Sequence, residues 1–72
     1  MIVKVQRPVS HPDGPWLVYD EGRKFFAAVE ASKLPRSVIN AMGDDYKAYF
    51  EVKADTFRIT SWGSRIYEQQ DW

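Results

Sequence analysis

Between Tyr46 and Ala54 apolar and polar positions alternate without a break. Tyr46, Ala48, Phe50, Val52 and Ala54 fall on one side, and Lys47, Tyr49, Glu51 and Lys53 on the other. A strict period of two predicts a half-buried antiparallel strand. Asp55 and Thr56 then turn the chain. Phe57 and Ile59 resume the apolar side while Arg58 and Thr60 point away, so the stretch reads as a β-hairpin with an inner face on the core.

The rest of the chain supplies the elements around it. Val3 and Val5, with Arg7 in the same phase, define one face of a first strand over Met1–Val9, and Ile2, Lys4 and Gln6 define the other. Pro8 lacks an amide proton and ends the pairing or places it at a sheet edge. SHPDGP, residues 10–15, is a loop fixed by two prolines, a glycine and an aspartate. Trp16–Asp20 is a second strand, and Asp20, Glu21 and Gly22 make a tight turn. The next stretch, Arg23–Glu30, fits either period: Phe25, Phe26 and Val29 on a helix, or Phe25, Ala27 and Val29 on a strand. A short turn after a clear strand favours a hairpin return, hence a third strand.

Leu34–Met42 is the one helix the pattern supports. Pro35 suits its first position, and Val38, Ile39 and Met42 form a narrow apolar stripe joined by Leu34. Gly43 can take the left-handed conformation that closes a helix. So short a helix is unstable alone and must lie on the sheet. After the hairpin, Trp62, Gly63 and Ser64 interrupt the pattern, Arg65–Tyr67 suggests a last short strand, and residues 68–72 read as a tail. The predicted order is β-β-β-α-β-β in one α+β domain spanning residues 1–72. It is either a five-stranded antiparallel sheet with the helix across one face, or a partly closed barrel with the element order of an OB-fold.

Composition narrows the classes. The chain has 72 residues, 44% of them hydrophobic, including four Phe, four Tyr and three Trp, which is enough for a packed core rather than disorder. The absence of cysteine removes disulfides and thiolate ligands and fits a reducing, cytoplasmic setting. The opening MIVKVQRP lacks the pattern of a secretory signal, and no apolar run is long enough to span a membrane. Ten basic and ten acidic residues balance to zero, which disfavours general binding to duplex DNA or to anionic membrane.

Candidate chemistry is sparse. His11 is the single histidine and has at most Asp13 beside it, whereas a metal site or a nucleophile–base pair needs more groups than that. Asp44 and Asp45 are adjacent, so their side chains diverge, and they better suit a solvated turn. The glycines are scattered singly and make no phosphate loop. No catalytic residue, metal ligand or cofactor site is expected, and the chain does not read as an enzyme.

The outward side of the hairpin carries more. Lys47, Tyr49, Lys53, Arg58 and Trp62 are expected to project together. Tyr, Trp and Arg are enriched at interface hot spots, so a protein partner is the first reading for this face. Rings interleaved with cations also suit single-stranded nucleic acid, whose bases stack for about 1–3 kcal/mol each. That makes an OB-like single-strand binder the alternative. Against both, cross-strand aromatic and charged pairs also stabilise solvent-facing sheets, and Glu51 shares the patch. Of the three tryptophans, Trp16, Trp62 and Trp72, the last is expected to dock on the chain's own core, with insertion into a partner as the other reading. A homodimer through an unpaired edge strand fits as well.

The opening MIVKVQRP, the central LVYDEGR, the PRSVINAMG helix followed by KAYFE, and the closing DW together resemble a family of short uncharacterised bacterial proteins associated with mobile or plasmid-like regions. The resemblance spans nearly the whole chain. It implies a cytoplasmic accessory or inhibitor protein and carries no activity, ligand or catalytic residue with it.

Overall fold

The computed structural model describes residues 1–56 and 58–68, with Phe25 described by its backbone alone. Its elements follow the predicted order: β1 Ile2–Gln6, β2 Trp16–Asp20, β3 Phe25–Val29, a 3-10 turn Ala31–Lys33, α1 Arg36–Met42, β4 Lys47–Asp55 and β5 Arg58–Ile66. The strands form one antiparallel sheet in the order β3-β2-β1-β4-β5. The fold is α+β, and the sheet is open rather than closed into a barrel.

β1 is the centre of the sheet, flanked by one hairpin on each side. Val3 and Val5 are fully buried, with Val3 opposite Phe50 and Val5 between Ala48 and Val18. Of the predicted inner face, Ala48, Phe50 and Val52 are buried in the core and Ala54 is partly buried, whereas Tyr46 precedes β4 and is exposed. The apolar side of α1 covers this face through Val38 and Met42, and Leu34 joins the same core. Phe50 also meets the Trp62 ring edge-to-face, with centroids 5.9 Å apart. Contacts of this kind add about 0.5–1.5 kcal/mol beyond the area they bury.

Local chemistry sets where the elements stop. β1 ends before Pro8, although the Arg7 amide still donates to the Tyr46 carbonyl at 2.9 Å. Pro35 stands just ahead of α1 rather than inside it, and its carbonyl accepts the Val38 and Ile39 amides. Gly43 ends the helix at φ 57°, a conformation that costs glycine little.

Three details depart from the sequence reading. The 3-10 turn before α1 has no period long enough to announce it. Trp62, Gly63 and Ser64 do not break the last strand, because β5 runs through them on a bulge. Phe50 faces Arg65 while Val52 faces Trp62, which leaves Gly63 and Ser64 opposite Glu51. A Cβ at Gly63 would stand 2.7 Å from the Glu51 carbonyl oxygen, so this approach requires glycine. The third departure is in β3, where Val18 pairs with Ala27 but Tyr19 pairs with Phe25. Phe26 occupies the resulting bulge and packs against the core, where simple alternation would turn it outward. The expectations for Phe57 and Trp72 lie outside the described residues.

Candidate functional site

Two arginines far apart in sequence converge on the C-terminal end of α1. The last carbonyls of a helix have no partners within it and carry the negative end of its dipole. Arg65 reaches in from β5 and donates to the Ala41 and Met42 carbonyls, and it pairs with the Asp45 carboxylate. From beyond β1, Arg7 donates to the Gly43 carbonyl at 2.7 Å and the Asp45 carbonyl at 3.3 Å, while its guanidinium lies 4.9 Å from the centre of the Trp16 ring. The planar, five-donor guanidinium suits several carbonyls at once. These cations hold the helix to the sheet and are committed to structure.

The outer face of the sheet bears part of the predicted site. Lys47 and Lys53 are exposed there, and Tyr49 lies between them on β4 but is only 8% exposed. By register Lys4 sits between Tyr19 and Tyr49, with its ammonium 5.0 Å from the centre of the Tyr19 ring. The Tyr19 hydroxyl donates to the Gln6 amide oxygen, and the Gln6 amide nitrogen donates to the Tyr46 hydroxyl at 2.7 Å. Tyrosines on this face are therefore held in contacts with neighbours. Glu51 lies 3.8 Å from the Met1 amino group rather than against a lysine.

Trp62 is not on that face. It stands opposite Val52 on the inner side, with its ring against Phe50. The shared projection expected of Lys47, Tyr49, Lys53, Arg58 and Trp62 thus loses Trp62, because the bulges of β5 shift its phase relative to β4. Arg58 keeps the phase of Lys47, Tyr49 and Lys53, opposite Asp55 at the end of the hairpin, and it and Trp62 both border a cleft.

That cleft has a volume of about 290 Å³ and opens between the two ends of the sheet. Phe26 and Val29 on β3 line one side and Ile59 and Trp62 on β5 the other, with Arg58 and Lys33 among its lining residues. The sheet therefore curls far enough for its terminal strands to share one cavity without pairing. Lys33 and Arg58 are exposed, and neither makes an ion pair or hydrogen bond through its side chain among the described residues. Apolar walls carrying two aromatic rings, with uncommitted cations beside them, can take an apolar segment that bears negative charge. Sequence reasoning singles out Arg58 and Trp62, though for the outer face, and does not single out Phe26 or Lys33. Phe26 reaches the cleft through a bulge and Lys33 through the 3-10 turn, and neither device has a period to read.

Among the described residues no group of His, Asp and Glu side chains could hold a metal ion, and no helix is long and apolar enough to cross a membrane. No model of a known family matches the chain, and neither does any curated protein or solved structure.

Proposed function

We propose that this protein is a small non-enzymatic interaction module that binds a protein partner, and that the partner seats in the cleft between β3 and β5. The observation that carries this reading is the pairing of apolar walls, Phe26 and Trp62 among them, with two cations that have no structural task. Interfaces gain most from aromatic anchors in a pocket rimmed by polar groups. The arginines of the helix clamp, by contrast, are already engaged with carbonyls and a carboxylate within the fold. Single-stranded nucleic acid is the weaker reading, because stacking needs open rings. Tyr49 is buried, and Trp62 is on the opposite side from Lys47 and Lys53.

Site-specific photo-crosslinking tests the assignment. A photoreactive amino acid would replace Arg58, Lys47 or Asn40 in turn, and the protein would be irradiated in its native cell extract. Protein adducts from position 58 that are absent from positions 47 and 40 are expected. Adducts from position 47 alone would move the site to the outer face, and nuclease-sensitive adducts there would favour nucleic acid. Silence at all three positions would sink the reading.

A further inference from the structure

The cleft has a second property besides its lining: the strands on its two sides, β3 and β5, are the terminal strands of the sheet. β3 and β5 are the ends of the sheet, so each is hydrogen-bonded to a neighbour on one side only among the described residues. An unpaired edge offers a row of amide donors and carbonyl acceptors that another extended chain can satisfy. Ordinarily the two edges of an open sheet face away from each other. Here they flank one cavity.

The edges also differ in how they are guarded. Bulges, charged side chains and short length are the usual defences of an edge. β5 is interrupted by register shifts opposite Phe50–Val52 and Lys53–Ala54 and carries Arg58 and Arg65. β3 is shorter and has its own bulge at Phe26, but its sequence Phe-Phe-Ala-Ala-Val carries no charged residue. An apolar edge that faces a cavity rather than open solvent is shielded from casual pairing, yet open to a segment that fits the cavity.

Resting on the reading of this cleft as the partner site, we propose that its occupant is one extended strand of the partner protein, with alternating apolar and acidic side chains. Its main chain hydrogen-bonds to the free edge of β3. Its apolar side chains pack on Phe26, Ile59 and Trp62, and its Asp or Glu side chains meet Lys33 and Arg58. The period of an extended chain supplies this arrangement directly, since alternate side chains face opposite ways. Charge selects the acidic version, because both cations beside the cleft lack an internal counterion among the described residues.

The test uses the full chain and a phage-displayed library of random dodecapeptides, panned on immobilised protein and counter-selected on the K33E/R58E protein. Enriched peptides should alternate apolar residues with Asp or Glu. A synthetic peptide of the enriched sequence should lose about tenfold or more in affinity for K33E/R58E and change little for K47E/K53E. Replacing its acidic residues by lysine should restore binding to K33E/R58E. Hydrogen exchange should slow at β3 amides when the peptide binds, with the central β1 amides unchanged. Failure to enrich any peptide, enrichment of helical or proline-rich sequences, or unchanged exchange at β3 would each overturn the strand proposal. If position 58 still crosslinked a protein in any of those cases, the partner reading would stand while its extended form fell. Sedimentation of the free protein as a dimer that K33E/R58E dissociates would make the occupant a second copy, which also overturns the proposal.

Discussion

Arg65 and Arg58 lie on the same strand and do opposite things. Arg65 meets two helix carbonyls and a carboxylate, and its side chain is 16% exposed. Arg58 stands exposed beside the cleft, with no side-chain partner among the described residues. Arg7 and Lys33 repeat the contrast, one joined to the helix end and the other not. What separates the two pairs is the surroundings. A helix C-terminus supplies unpaired acceptors and a negative dipole end, and cations placed there become structural. Beside the cleft neither Lys33 nor Arg58 meets a side-chain partner among the described residues, and these cations stay available to something outside the fold.

The comparison breaks most sharply at Arg65. Arg65→Ala removes charge-assisted hydrogen bonds worth about 1.5–3 kcal/mol each before relaxation, so a net loss of about 3 kcal/mol is expected in urea unfolding. Arg58→Ala on the same strand should change stability by no more than about 0.5 kcal/mol. Equal losses from the two substitutions would erase the distinction.

Gly63 sits on β5 between Trp62 of the cleft and Arg65 of the clamp. Gly63→Ala places a Cβ 2.7 Å from a backbone oxygen, which only a backbone shift can relieve. The expected cost is about 1–3 kcal/mol, read from the same unfolding experiment. Because the bulge sets the phase of everything around it, amide shifts should move at both Trp62 and Arg65. A response confined to one side would show that the two ends are independent.

Arg7→Ala should cost less, about 1 kcal/mol, because its bonds to Gly43 and Asp45 are exposed. Its partner on the other side of the comparison, Lys33→Ala, should be silent in unfolding. Thermal scans of the two proteins side by side check the pair.

How far this arrangement could be read from the chain depends on the device that makes it. Strict alternation in β4 placed Ala48, Phe50 and Val52 on the core correctly, since each half-buried strand records its faces with a period of two. The helix was legible from Val38, Met42 and Gly43 for the same kind of reason. The site was less so. A bulge adds one residue, and every later side chain in that strand changes face relative to its neighbour. Trp62 was therefore expected beside Lys53 and stands instead against Phe50. The Arg7 and Arg65 clamp was illegible because it joins residues at opposite ends of the chain around a helix end, and no local pattern encodes such a meeting.

A small expected effect on stability carries the most weight for function. In K33E/R58E two exposed cations become acids, and neither native side chain has a partner to lose among the described residues. Unfolding should therefore shift by no more than about 1 kcal/mol, the cost of an acid placed opposite Asp55. Partner adducts from a photoreactive group at Val29, which lines the cleft, should nevertheless disappear in that background. In K47E/K53E, which changes the same amount of charge on the outer face, they should persist. A fold that tolerates a charge reversal while its partner does not is the behaviour of residues kept for recognition. If instead K33E/R58E unfolded as readily as Arg65→Ala, these cations would belong to the fold after all, and the open end of the sheet would differ from the clamped end only in appearance.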